Sequence, residues 1–122
     1  MEMIMRRFVQ VCSLMVVFIC SSQIVKAEDI ARATLRAKYD MVQGKDVYER
    51  VCAVCHSSGV MDAPKFCDIT AWKPRMAHGM EAMVKHAVEG FNNMPAKGGM
   101  DSLSLTESAN AVAYMIDQCL FD

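Results

Sequence analysis

The chain has 122 residues, with thirteen Lys and Arg against fourteen Asp and Glu, and is 53 % hydrophobic. That length allows one small domain and no second one. The near-neutral balance, with no basic run, gives no electrostatic case for nucleic acid as a partner.

Part of the hydrophobicity belongs to the N-terminus. Arg6 and Arg7 precede an apolar run over residues 8–20, and the polar stretch SSQIVKA then ends at Ala27. This is the layout of a secretory signal peptide cut after Ala27, so residues 1–27 are predicted to be removed and residues 28–122 to form the single domain. The apolar run is too short to span a bilayer comfortably, so no permanent membrane span is expected; an uncleaved N-terminal anchor is the alternative. Cleavage takes away Arg6, Arg7, Lys26 and Glu2, leaving a mildly acidic domain of net charge −3. A domain this small is marginal on burial alone, and a covalently held apolar cofactor would fill its core.

Strand signals are weak throughout, and the readable segments are helical. Residues 30–41 are moderately amphipathic and are expected to end near Gly44. Residues 46–54 read as a helix with Val47, Tyr48 and Val51 on one face. The run PKFCDITAWKP reads as an irregular loop. Residues 76–88 carry Met76, Met80, Met83, Val84 and Ala87 at helical spacing, and Gly90 stops them. GFNNMPAKGG is a turn-rich loop. Ser104 and Glu107 form a capping box that opens a final helix, with Ala109, Val112, Ala113 and Ile116 predicted inward. Short helices wrapped around long loops form an all-α fold, and such loops usually hold something.

The second of these helices runs into VCAVCHSSGV, residues 51–60. Cys52 and Cys55 are followed directly by His56, a pattern that this composition would produce by chance in roughly 0.7 % of chains. Two thiols at this spacing can each add to one vinyl group of a haem, and the next side chain then lies over the porphyrin, where an imidazole can ligate iron. A secreted address agrees with this, because c-type haem is attached outside the bacterial cytoplasm. Zinc would require four ligands, and Cys67 and Cys119 are single residues rather than a second C-x-x-C. A thioredoxin-like site would require a βαβ pattern, which is missing. The expected cofactor is one covalent haem c, bound through Cys52, Cys55 and His56.

The second axial ligand decides between electron transfer and reaction at iron. The domain offers Met41, Met61, Met76, Met80, Met83, Met94, Met100 and Met115, with His78 and His86. Most of these methionines lie at helical core spacing, where packing explains them. Met94 lies in a loop instead, pinned by Pro95 and followed by Lys97, Gly98 and Gly99, so a thioether there can reach a flat cofactor. Met100 is the next candidate.

The runs GKDVYERVCAVCHSSGVMDAPKF, AWKPRMAHGM, HAVEGFNNMPAKGG and SLTESANAVAYMI resemble the cytochrome c5 family of class I cytochromes c, over residues 44–116. The resemblance implies a small class I cytochrome c fold, a monohaem electron carrier, and His56 and Met94 as axial ligands. It implies that Gly44 and Tyr48 pack across the C-terminal helix and meet Tyr114. It implies further that the Pro64 carbonyl accepts the imidazole proton of His56, and that Trp72 and Arg75 lie near the haem propionates. Two departures stand out. Ala96 occupies a position where a second proline is frequent, and the cysteine pair that some relatives carry after the methionine loop is missing. The cysteines left over are Cys67 and Cys119, either bridged or two buried thiols; in an oxidising compartment the bridge is expected.

The functional expectation is a monomeric, periplasmic electron-transfer protein of a respiratory chain. Its partners would be redox proteins: a cytochrome c reductase or other donor, and a terminal oxidase or reductase as acceptor. Lys65, Lys73, Arg75 and Lys97 fall in loops expected around the haem, so the docking face would be locally positive on an acidic molecule. The competing expectation is a haem-based gas sensor or small redox enzyme with an open sixth iron position.

Overall fold

The computed structural model describes residue 29 and residues 31–120; the expected signal peptide lies outside them. The described residues fall into two units, one ending at Ala33 and one beginning at Thr34. In the first, residues 29 and 31–33 are helical. Everything below concerns the second.

The helical stretch over 34–38 gives way at Tyr39, well before Gly44. The carboxylate of Asp40 accepts from the backbone N–H groups of Val42 and Gln43, each at 2.9 Å, and so starts a new helix, α1 (Met41–Val47). Gly44 is therefore buried inside a helix and does not end one. The expectation of a stop there misjudged a glycine selected for close packing. The chain continues through a π-helical turn (Tyr48–Cys52) into α2 (Ala53–His56), so helical backbone leads without interruption to the cysteines. Single π turns of this kind recur at functional sites.

Two further expectations are corrected downstream. The second half of PKFCDITAWKP is helix α3 (Ile69–Met76), not loop: the side chain of Asp68 accepts from Ala71 N–H at 3.2 Å, and Pro74 lies inside. Proline removes only one backbone donor, a loss this short, largely exposed helix accommodates. The helix expected over 76–88 is interrupted at Ala77 and His78, and Gly79, at φ +85°, begins α4 (Gly79–Glu89). Met76 thus ends one helix and Met80 belongs to the next. Gly90, also at φ +85°, stops α4 as expected.

The last helix, α5 (Leu105–Leu120), opens on the expected capping box. Ser104 Oγ accepts from Glu107 N–H at 3.1 Å, and Glu107 Oε2 accepts from Ser104 N–H at 2.9 Å. Those bonds hold the Glu107 carboxyl below the usual carboxylate range. A depressed folded-state pKa stabilises above the unfolded value, about 4.3, and the contribution is lost as pH falls through the folded one. The melting-temperature gap between wild type and Glu107→Ala should therefore be open at pH 7 and narrow steadily as pH falls below about 4. A gap that stays constant across that range would count against the capping box.

Helix α5 packs along α1. A Cβ built on Gly44 would lie 2.2 Å from the Asn110 carbonyl oxygen and 2.9 Å from Tyr114 Cβ, so only glycine lets the two backbones approach this closely. Beside the crossing, the Tyr48 ring lies 5.7 Å from Tyr114 and 4.6 Å from Phe66. Val47, Val51, Leu103 and Ala111 form the buried core, with Met100 against it. The inward face of α5 is wider than predicted: Ala113 and Ile116 are buried, Ala109 and Val112 only partly, and Ser108, Asn110 and Asp117 are buried as well. Asn110 donates to Gln43 Oε1 at 2.7 Å and accepts from Asp40 N–H at 3.1 Å. Asp117, 1 % exposed, receives both arms of the Arg36 guanidinium at 2.9 and 2.8 Å. Buried polar groups with such partners are tolerated in a core. No strand occurs among the described residues, and the domain is all-α. No helix among them is long and apolar enough to cross a membrane.

Candidate cofactor site

The α1–α2 helix, the loop after it, α3, α4 and α5 enclose a cavity of about 950 Å³. Known ligand pockets range over roughly 300–1,000 Å³, so this one suits a large ligand. Cys52, Cys55, His56, Pro64, Trp72, Arg75 and Met94 all line it. Residues more than forty positions apart in sequence thus meet around one space.

His56 is the best-fixed of these groups. Its ring is buried, and Nδ1 lies 2.8 Å from the Pro64 carbonyl oxygen. A carbonyl only accepts, so Nδ1 carries the proton and Nε2 is the nitrogen left with a lone pair for a metal. The loop that supplies this carbonyl returns to the histidine a second time, through Phe66 N–H to the His56 carbonyl at 2.7 Å. Both cysteines carry free thiols. Burial pushes the Cys52 thiol up to about 11, which leaves it neutral in a largely apolar wall.

Met94 stands on a tight turn. Phe91 and Met94 exchange backbone hydrogen bonds at 3.0 and 2.9 Å, with Asn92 at φ +52° between them. The turn is held against α4 by the Phe91 ring, stacked on His86 at 3.9 Å. Of the other methionines, Met61, Met83 and Met115 also line the cavity, whereas Met41, Met76, Met80 and Met100 do not. Met100 packs on the Val47–Leu103 core instead. Met83 and Met115 lie on helices, and Met61 is 61 % exposed at φ +56°.

Trp72 and Arg75 reach the cavity, Trp72 with its one donor spent and Arg75 with donors to spare. The indole N–H is given to the Lys65 carbonyl at 2.7 Å, and an Arg75 Nη1 donates to the Ala71 carbonyl at 2.5 Å. Cys67 and Cys119 are joined by a disulfide with Cα atoms 4.6 Å apart, and they stand outside the cavity lining. The bridge closes a span of 52 residues, worth up to about 4 kcal/mol on the chain-entropy account.

Sequence reasoning missed Ser108. Its hydroxyl is buried in the cavity wall without a hydrogen-bond partner among the described residues. The signal was available, because Ser108 lies three, four and seven residues before the cavity-lining Ala111, Val112 and Met115 on one helical face. Two thiols, an oriented imidazole and a thioether on a largely apolar cavity are what a covalently attached haem uses, and the unpartnered Ser108 hydroxyl leaves a polar group there for a ligand to satisfy. The residues fit the group.

Comparison with known proteins agrees. The family described as cytochrome c oxidase, cbb3-type, subunit III matches residues 40–115. Cytochrome c-555 of Chlorobaculum thiosulfatiphilum is 45 % identical over 84 residues, covering 66 % of this chain and 98 % of the relative. Cytochrome c5 of Ectopseudomonas mendocina is 38 % identical over 72 residues, covering 57 % of this chain and 83 % of the relative. Among solved structures, one chain of an electron transfer complex of nitrite reductase with cytochrome c superposes with a TM-score of 0.60 at 39 % identity. That match covers 63 % of this chain and 94 % of the other.

Proposed function

The chain belongs to the monohaem class I c-type cytochromes, electron-transfer proteins with one covalent haem c, and we propose that it serves as a periplasmic carrier whose iron is held by His56 and Met94. Haem iron supplies the one-electron Fe(III)/Fe(II) couple. The observation that carries the proposal is the convergence on one cavity of Cys52, Cys55, a His56 imidazole with Nδ1 engaged, and a thioether on a separate hydrogen-bonded turn.

Each residue then has a distinct task. Cys52 and Cys55 anchor the cofactor through thioether bonds. Pro64 fixes the His56 ring and its tautomer, which raises the basicity of Nε2. Met94 closes the sixth position, keeps small ligands off the iron and favours the reduced state relative to a second imidazole. Ser108 and Arg75 supply polar contacts on a largely apolar wall, and Trp72, its indole N–H held by the Lys65 carbonyl, supplies a fixed aromatic face. The similar proteins are cytochromes c, electron carriers and not enzymes.

The partners are proposed to be redox proteins: a cytochrome c reductase or other donor, and a terminal oxidase or reductase as acceptor. The solved complex of a similar chain with nitrite reductase supports an acceptor of that kind. Lys65, Lys73 and Arg75 are exposed, Lys97 is half-buried with Nζ on the Asp101 carbonyl at 3.1 Å, and none of the four makes an ion pair among the described residues, which leaves their charge to a partner. A monomer meeting its partners in small, transient contacts suits this traffic.

The test is intact mass and an optical spectrum on protein from the periplasm. The mass should equal residues 28–122 plus one haem, with two hydrogens fewer for the Cys67–Cys119 bridge. A mass without haem would overturn the cofactor assignment for this chain, and retention of residues 1–27 would overturn the leader.

A further inference from the structure

We propose that the Cys67–Cys119 disulfide is a positioning device for the iron-bound imidazole: it holds the Pro64 carbonyl against Nδ1 of His56 and so helps set the reduction potential. The proposal rests on the reading of His56 as an iron ligand.

The His56 end of this hydrogen bond is fixed, because His56 is buried at the end of a helix that runs unbroken from Met41. The Pro64 end belongs to the segment 64–68, which runs between two short helical turns. From residue 57 to residue 86 no residue is fully buried by the polypeptide, and Pro64 and Phe66 are half-buried. The segment is therefore kept in place by individual ties and not by a core. Phe66 N–H reaches the His56 carbonyl, and the Phe66 ring lies 4.6 Å from Tyr48 and 6.2 Å from Tyr114. Trp72 Nε1 and Asp68 N–H both donate to the Lys65 carbonyl, at 2.7 and 3.1 Å. The bonds to Lys65 tie the segment only to itself and to α3. The covalent tie to the C-terminal helix is the disulfide, since Cys119 lies on α5.

Cys67 also takes an unfavourable backbone conformation, φ +59°. For a residue with a Cβ this costs on the order of 1–2 kcal/mol, so without an anchor the peptide relaxes toward negative φ. Cys67 is three residues from Pro64, with no helix between them to absorb the change. Rotation at Cys67 moves Phe66 and the Pro64 carbonyl. A longer Nδ1–H···O contact makes the imidazole a weaker donor, which favours the reduced over the oxidised iron. Breaking the bridge should raise the potential.

The experiment is redox titration of the haem-loaded Cys67→Ala/Cys119→Ala protein beside wild type, with hydrogen exchange of the His56 Nδ1 proton followed by NMR in the reduced state. The expected result is a higher potential and faster Nδ1–H exchange, with the methionine-to-iron charge-transfer band retained. Ser104→Ala is the control, because it weakens α5 without touching segment 64–68; its melting temperature should fall while its potential stays put. If the double alanine variant lowers only the melting temperature, leaving potential and exchange at wild-type values, the bridge is purely a staple and the proposal is wrong. If the variant does not mature, the wild-type holoprotein is treated with a phosphine in water. The phosphine becomes its oxide, Cys67 and Cys119 take up two electrons and two protons, and the thiols are alkylated before the same two measurements decide. A wild-type spectrum lacking histidine–methionine ligation would instead refute the ligand assignment itself, a separate failure.

Discussion

Replacing Met94 by alanine should convert the holoprotein from a closed electron carrier into one that binds carbon monoxide in the ferrous state. The thioether is the group proposed to close the sixth position, and alanine leaves nothing at that position to replace it. The haem should remain attached, because Cys52 and Cys55 hold it by covalent bonds that do not involve Met94. The near-infrared charge-transfer band of the oxidised protein should disappear, and the potential should fall with loss of the ligand that favours Fe(II). Met100→Ala makes a sharp contrast. Met100 packs against Val47, Val51, Leu103 and Ala111 and does not line the cavity. Its removal should cost roughly 2 kcal/mol of stability, at the low end for a core methionine, and leave the band intact. Survival of the band in Met94→Ala would move the assignment to Met61, Met83 or Met115, the other sulfurs on the cavity. Rapid carbon monoxide binding by wild type would replace the carrier with the gas sensor or small enzyme.

The second large effect is expected at a residue with no part in the chemistry. Gly44→Ala places a methyl group 2.2 Å from the Asn110 carbonyl oxygen, well inside contact distance, and the obstacle is backbone that cannot rotate away. The helices α1 and α5 must separate, which disturbs the Tyr48–Tyr114 contact and the Asn110 hydrogen bonds to Gln43 and Asp40. Overpacking of this kind costs about 1–3 kcal/mol, sometimes more, against the roughly 0.5–1 kcal/mol that alanine normally gains over glycine within a helix. For a domain of this size each kcal/mol moves the melting temperature by roughly 4–8 °C. The net cost, up to about 2.5 kcal/mol, should lower the melting temperature of the holoprotein by up to roughly 10–20 °C. An unchanged or higher melting temperature would mean that the crossing is looser than described.

How far the sequence revealed these features depended on how local each signal was. The cysteine motif, the Ser104–Glu107 capping box and the Gly90 stop each sit within a few residues, and each was readable because its chemistry is local. Gly44 was read first as a stop because glycine is usually a breaker, and only the resemblance to known cytochromes pointed to its packing role; its reason lies across the helix crossing at Asn110 and Tyr114. Helix α3 was read as part of a mixed, irregular run; its start depends on the Asp68 cap, and Pro74 withdraws only one donor from it. The break at Ala77 and His78 was hidden by a methionine spacing that continued by coincidence across two helices. The polar residues buried on α5 were unreadable for a different reason. Asn110 and Asp117 look like surface positions until Gln43, Asp40 and Arg36 are brought to them from the other end of the chain.

Residues 57–86, none of which is fully buried, meet the rest of the domain through Phe66 on Tyr48 and Tyr114 and through the Cys67–Cys119 bridge. The core of the α1–α5 crossing, Val47, Val51, Leu103 and Ala111, also lines the cavity, so a seated cofactor would pack on the same side chains that join the two helices. A haem seated there would add its own binding energy to folding, much as a structural metal does, so the two helices and the flank that faces them would share one source of stability.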